Sequence, residues 1–220
     1  MIDWDALDNY ILNHIDAEHE YLQKLYRLTN IRLVRSHMAS GHLQGKVLRM
    51  FVQMIRPQRI LEIGTYTGYS ALCMASALTG NGKLITYEIN DELEDFTRPQ
   101  IQNSPWAAHI DFRIGDVLTD LSQNEEPFDL IFLDGNKRQY LEYYELCLRH
   151  LNPCGYILAD NTLWDGHVID PAYDKDLQTR GIRAFNDFVA NDSRVEKVMI
   201  PLRDGLTLIR LRGQEPKSCS

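Results

Sequence analysis

The sequence predicts an α/β fold: a mostly parallel sheet with helices on both faces, a closing antiparallel pair of strands, and a helical extension in front. Three observations predict it. From Arg59 to Asp160, short apolar runs alternate with helical segments. The last two apolar runs flank Asp204-Gly205 with no helix between them, a hairpin signal. Before Pro57 the apolar residues recur at helical spacing instead.

Taken in order, Leu7, Tyr10, Ile11 and Ile15 form one apolar stripe, and Leu22, Leu25, Tyr26 and Leu28 form another. Residues 4–34 therefore read as helices. Ser40 is placed to cap a helix through Ile55 that Pro57 stops. RILEIG (59–64) reads as a strand, and GYSALCMASAL (68–78) as a helix closed by Gly80. A strand at 83–89 and a helix around 92–103 follow, then strands at 109–115 and 128–134. A helix near 138–150 leads to the strand GYILAD (155–160), and RVEKVMI and LTLIRLR close the sheet. The tail GQEPKSCS is expected to fray. The chain reads as a single domain over 1–220, with 1–56 as extension and 57–212 as core.

At 220 residues, 44% of them hydrophobic, the chain can bury a full core. A net charge of -8 opposes nonspecific binding to phosphate backbones, which needs a basic face. The start, MIDWDALDNY, lacks the basic region of a secretory signal, and no apolar run is long enough to span a bilayer. A cytoplasmic, membrane-free protein is expected. Cys73, Cys147, Cys154 and Cys219 form no C-x-x-C pair, so neither zinc nor redox chemistry is indicated. Cys73 and Cys147 read as core thiols.

EIGTYTGYS follows the first strand of the core and opens a helix, where an open parallel sheet binds nucleotides. A plain βα turn, with glycine permitting tight geometry, is the alternative. Tyr66 stands where a dinucleotide fingerprint requires glycine, and no Gly-Lys-Ser/Thr follows, so a diphosphate is not expected. Glu88 ends the next strand about twenty residues after Gly68, where an acid accepts ribose hydroxyls. Asp116 ends the third strand, where an adenine edge would lie. Glu62, inside an apolar strand, is costly unless paired, and an amino-acid ammonium would pair it. Adenosine plus an amino acid without phosphate describes S-adenosylmethionine.

ILADNTLW (157–164) runs an apolar strand into an acid and an amide. Asp and Asn favour turns, which is one reading. The other is a metal site. Asp134 ends the neighbouring strand, so Asp134, Asp160 and Asn161 would converge as oxygen ligands. Two carboxylates alone repel, and a shared cation relieves that. Such donors suit Mg²⁺, with Mn²⁺ or Ca²⁺ as alternatives.

EIGTYTGYS, YEI, GDVL, FLDGNKRQY, ADNTLWDG and PLRDGLTL, in this order, resemble the cation-dependent small-molecule O-methyltransferases of the catechol and caffeoyl-coenzyme A type, with their bacterial members. The resemblance runs from about Ser36 to Arg212. It implies a Rossmann-like, seven-stranded methyltransferase sheet with a reversed terminal strand. It implies metal ligation by Asp134, Asp160 and Asn161, and S-adenosylmethionine contacts at Glu62, Gly64, Ser70, Glu88, Asp116 and Asp134. Met38 matches the segment that closes over the cofactor, Tyr140 a residue near its methionine end, and Trp164 one near the substrate. Lys137 resembles the family's general base; a solvated lysine at a helix start is the alternative. Gly135-Asn136 stand where plant members usually carry Ala-Asp, and no loop reading coenzyme A is identified. The expected acceptor is a small hydroxylated aromatic. The resemblance also admits a transfer-RNA hydroxyuridine acceptor, for which Arg27, Arg32, Arg35 and Arg49 could supply a basic patch. A cofactor-binding module without catalysis is the remaining reading. The apolar stripes of the first two helices, and the family's habit, suggest a homodimer.

Overall fold

The computed structural model describes residues 3–34, 39–122 and 125–213. Helices α1 (Trp4–Asn13), α2 (Glu20–Arg32) and α3 (Gly41–Ile55) precede seven strands: β1 (Arg59–Ile63), β2 (Lys83–Glu88), β3 (Ile110–Ile114), β4 (Phe128–Leu133), β5 (Leu151–Asp160), β6 (Val195–Ile200) and β7 (Leu206–Leu211). Helices α4 (Tyr69–Ala75), α5 (Glu94–Gln102), α6 (Val117–Asp120), α7 (Tyr140–His150) and α8 (Leu177–Asn191) lie between them. The strand order is β3-β2-β1-β4-β5-β7-β6. The first five are mutually parallel, while β7 runs antiparallel to both β5 and β6. This is the expected seven-stranded sheet with its terminal hairpin.

Both faces are covered. One apolar layer joins Leu61, Ile131, Leu133 and Ile157 to Tyr144, Ile182 and Phe185 of α7 and α8. The other joins Ile60, Leu130, Phe132 and Leu158 to Leu48 and Val52 of α3 and Met74 of α4. Residues of opposite strand parity are equally buried, which is why these strands read as unbroken apolar runs. A third cluster seats Leu22 and Leu25 of α2 against Tyr69, Leu72 and Cys73 of α4.

Among the described residues, side-chain caps close four of the eight α-helix starts, those of α1, α2, α6 and α8. Asp3 accepts from the Ala6 amide at α1, and Asp176 accepts from the Thr179 amide at α8, at 3.0 and 2.7 Å. Ser40 departs from expectation. Its backbone is already helical and its hydroxyl makes no capping bond, so it precedes α3 without capping it. At the other end Arg56 turns left-handed (φ 55°) just before Pro57, as the stop signal requires.

The remaining differences are local. β5 begins at Leu151 rather than 155, and the helix after Gly68 spans only Tyr69–Ala75. Helix α8 lies in a stretch with no sequence assignment. Its apolar face is only Ile182, Phe185 and Val189, interrupted by Gly181. That glycine has a packing reason: a Cβ there would lie 2.3 Å from the Lys137 carbonyl oxygen. Helix α8 thus lies directly against the turn that carries Lys137.

Candidate active site

The strand order reverses between β1 and β4, and a crevice opens outside the carboxyl ends of strands at such a point. Here the two strand ends are in close contact. Gly64 (φ 99°) leaves no room for a side chain, since a Cβ would sit 2.3 Å from the Asp134 carbonyl oxygen. Only glycine satisfies both the positive φ and the contact.

The acids proposed from sequence lie at or near the carboxyl ends of strands on this side. Glu62 is fully buried within β1. Its Oε2 accepts from the Thr86 hydroxyl at 2.5 Å, and the Thr65 and Thr86 hydroxyls share a bond of 2.6 Å. Burial pushes the Glu62 carboxyl up to about 8, against hydrogen bonding by Ser70 and Thr86; Asp134 and Glu88 add to the rise. Its Oε1 is buried and has no hydrogen-bond partner. A buried carboxylate oxygen without a donor is expensive, and an ammonium would satisfy it. Ser70 is buried in the first turn of α4, beside that acid. Glu88 is held by two backbone amides, Tyr66 at 2.7 Å and Asn90 at 2.9 Å. Asp116 caps α6 through the Leu118 amide at 2.9 Å. Tyr143, not singled out from sequence, is buried on α7, and its hydroxyl donates to Gln139 Oε1 at 3.3 Å. Its hydroxyl is pushed up to about 12 by burial and by Asp116.

Beside these lie the three oxygen donors expected from sequence as cation ligands. Asp134 follows β4 and Asp160 ends β5, adjacent strands paired in register. Asp160 is buried; burial and the Asp134 charge raise its carboxyl above the usual range. Asn161 takes up the left-handed backbone (φ 57°) that asparagine tolerates. The turn reading is therefore true of its backbone. Its Nδ2 faces Asp204 Oδ2 at 3.5 Å, which leaves the amide oxygen for another partner. Among the described residues no cluster of three or more His, Cys, Asp or Glu side chains forms a metal site. The donor set here is two carboxylates and an amide, all hard oxygens, which suits Mg²⁺, Mn²⁺ or Ca²⁺.

Lys137 is buried, not solvated. It opens a short 3₁₀ turn, Lys137–Gln139, capped by Asn136. Its ammonium donates to Asp134 Oδ1 and to the Tyr140 hydroxyl, both at 2.6 Å. The Tyr140 hydroxyl donates onward to the Asp160 carbonyl oxygen at 2.9 Å. Tyr140 is wholly buried and lies beneath Lys137. The Trp164 ring centroid is 5.9 Å from the Lys137 nitrogen. Met38 and Arg35 lie outside the described residues. Arg27 and Arg32 are exposed on α2, whereas the Arg49 guanidinium is tied to the carbonyl and hydroxyl of Ser76 at 3.1 and 3.0 Å.

Two further contributors were not singled out from the sequence. Gln44 of α3 donates to Asp160 Oδ2 at 2.5 Å, and Arg203 of the β6–β7 turn donates to Gln44 Oε1 at 3.0 Å. Gln44 lies in none of the quoted motifs; Arg203 lies in PLRDGLTL, but nothing local to either residue points to Asp160, and only the fold brings them to β5.

The chain is similar to known O-methyltransferases. Caffeoyl-CoA O-methyltransferase 2 of Eucalyptus globulus is 36% identical over 221 residues, covering 94% of this chain and 88% of that protein. Tricin synthase 2 of Oryza sativa subsp. japonica is 34% identical, covering 94% of this chain and 75% of that one. The crystal structure of an O-methyltransferase from Bacillus cereus in complex with SAH superposes with a TM-score of 0.86 at 29% identity, covering 94% and 97% of the two chains. The family described as O-methyltransferase matches residues 13–212, taking in α2 and α3 as well as the whole sheet. With a family match of that extent over this fold, the chain belongs to the O-methyltransferase family.

Proposed function

We propose that the protein transfers a methyl group from S-adenosylmethionine to a hydroxyl of a small catechol-like or phenolic acceptor, with a divalent cation held by Asp134, Asp160 and Asn161. The observation that carries this reading is the pairing of two carboxylates at adjacent strand ends, one of them buried, beside a glutamate whose buried oxygen lacks a donor. The SAH complex of the Bacillus cereus relative supports the cofactor, since SAH is what remains when S-adenosylmethionine gives up its methyl. The caffeoyl-CoA relatives support a phenolic acceptor.

When bound, S-adenosylmethionine supplies the methyl on its sulfonium and the cation supplies positive charge for the acceptor oxygen. The chain's residues bind and orient. Glu62 and Ser70 hold the amino-acid end, Glu88 the ribose, and Asp116 with Tyr143 the adenine side. Trp164 offers an aromatic face to the acceptor. Lys137 takes the acceptor's proton. An ammonium has no lone pair, so the nitrogen must shed a proton before it acts. Its anchors, Asp134 and Tyr140, place that nitrogen at the ends of β4 and β5.

The test is methyl transfer from labelled S-adenosylmethionine to a catechol in the presence of Mg²⁺. Activity is expected to vanish in excess chelator and to return when Mg²⁺ is restored. Full turnover in chelator, with bound metal confirmed at zero, would sink the cation reading. Transfer to undermethylated transfer RNA, but not to a catechol, would overturn the acceptor.

The same reading includes a homodimer. Leu7, Tyr10 and Leu12 of α1 and Met50 and Met54 of α3 remain exposed, Tyr10 and Met54 by 60% and 73%. Large apolar groups left on the surface mark interaction sites. Light scattering at micromolar concentration is expected to give twice the chain mass of 25.5 kDa. A single-chain mass would refute the dimer.

A further inference from the structure

The Asp160 carboxylate is held at both oxygens by neutral donors. Its Oδ1 accepts from the Asn161 amide at 2.9 Å, and its Oδ2 accepts from Gln44 Nε2 at 2.5 Å. Gln44 is only 2% exposed, so its amide must find partners inside the protein. A glutamine amide has two faces of opposite character, and nothing intrinsic to it decides which one meets Asp160. Turned the other way, Oε1 would face Oδ2, acceptor against acceptor. Arg203 removes the ambiguity. A guanidinium only donates, and its Nη1 lies 3.0 Å from Gln44 Oε1 and 3.4 Å from the Ala39 carbonyl oxygen.

We propose that Gln44 is a positioning residue for Asp160 as a cation ligand, and that Arg203 acts through Gln44 by fixing the direction of its amide. The inference rests on the reading of Asp160 as a ligand. The chemistry favours an amide in this role. A lysine or arginine at position 44 would bring its own positive charge to the carboxylate and compete with the cation. The amide orients the carboxylate and leaves its charge intact. With one donor on each oxygen, Asp160 keeps lone pairs for a metal, because an ionised carboxylate offers about four acceptor positions. Partners that orient a metal ligand in this way commonly contribute 10–100-fold to metal affinity.

The decisive measurement is Mn²⁺ affinity of the full chain, read as free Mn²⁺ by electron paramagnetic resonance, for wild type, Gln44→Met, Arg203→Met and the double variant. Methionine keeps the length of the Gln44 stem and removes the donor. Gln44→Met is expected to weaken Mn²⁺ binding by about 10–100-fold, with a melting temperature close to wild type. Arg203→Met is expected to weaken it less. The double variant should lose no more than Gln44→Met alone, since two members of one chain are not additive. Wild-type Mn²⁺ affinity in Gln44→Met would overturn the proposal. Additive losses would overturn the part assigned to Arg203. Should Gln44→Met fail to fold, Arg203→Met decides: Arg203 is exposed and its replacement spares the core, so unchanged affinity there refutes the chain. Absence of any Mn²⁺ binding to wild type would instead reject the cation site itself, and this proposal with it.

Discussion

Replacing Lys137 with methionine is expected to lower turnover by about 10²–10⁴-fold, the usual range for loss of a general base. The side chain is buried, and its nitrogen sits between Asp134 and Tyr140 at 2.6 Å from each. Methionine fills the same space without the nitrogen, so the loss reports on the base and not on packing. A phenol ionises near pH 10. Raising the pH should therefore partly restore the variant, as solvent takes over the proton transfer. S-adenosylmethionine affinity should hold, because Lys137 itself is not among the residues assigned to the cofactor. Near-wild-type turnover across the pH range would assign the whole activation to the cation.

Glu62→Gln is expected to move stability and binding in opposite directions. In the free protein the Glu62 carboxyl is pushed up to about 8, first by burial and then by Asp134 and Glu88, against the lowering effect of Ser70 and Thr86. A carboxyl raised on folding favours the native state at low pH. That contribution is complete below the unfolded value of about 4.5 and is lost as pH rises toward 8. The loss is at most about 5 kcal/mol, from 1.36 kcal/mol for each unit. The glutamine cannot ionise. The variant should therefore melt higher than wild type at pH 8, with the gap closing near pH 4. Affinity for S-adenosylmethionine should fall by about 10²-fold or more, as expected when one partner of a buried ion pair is removed. A variant that binds the cofactor normally would remove Glu62 from the site. One with no stability gain at pH 8 would show that the free acid is already satisfied.

These expectations depend on features of unequal visibility in the sequence. The parallel strands were legible because burial on two faces leaves apolar runs with no polar alternation, as in ILEI and LIFL. The hairpin was legible because Asp204-Gly205 separates two such runs. Helix α8 was not, because glycine interrupts its apolar face where the helix must touch the Lys137 turn. Among the site residues, Glu62, Asp134 and Asp160 stood out as acids ending or interrupting apolar strands, where burial of charge is costly. Lys137 could be placed by its motif, but its burial could not be read, since α8 and Trp164 cover it from distant parts of the chain. Gln44 carries no local signal, and Arg203, though it stands in PLRDGLTL, carries none for the site. A glutamine on a helix and an arginine in a turn are ordinary surface choices until the sheet brings them to Asp160.

The reversed strand β7 has a consequence for how the protein is made. Because β7 runs against β5, Leu206 pairs with Asp160, and the β6–β7 turn arrives at the same end of the sheet as the acids. A parallel final strand would have delivered that turn to the opposite end. Gln44, Asp160 and Arg203 are joined across 116 and 159 residues of sequence. Such contacts are among the last that a chain can close, since long loops must be ordered first. A nascent chain that has completed β1 to β5 already holds Glu62, Asp134 and Asp160, but Asn161 and Gln44 still lack their partners from the final turn. On the proposed cation reading, full affinity would arrive only once the β6–β7 turn has folded, and a chain that ends before it would hold the two neighbouring carboxylates without Arg203 to fix the Gln44 amide.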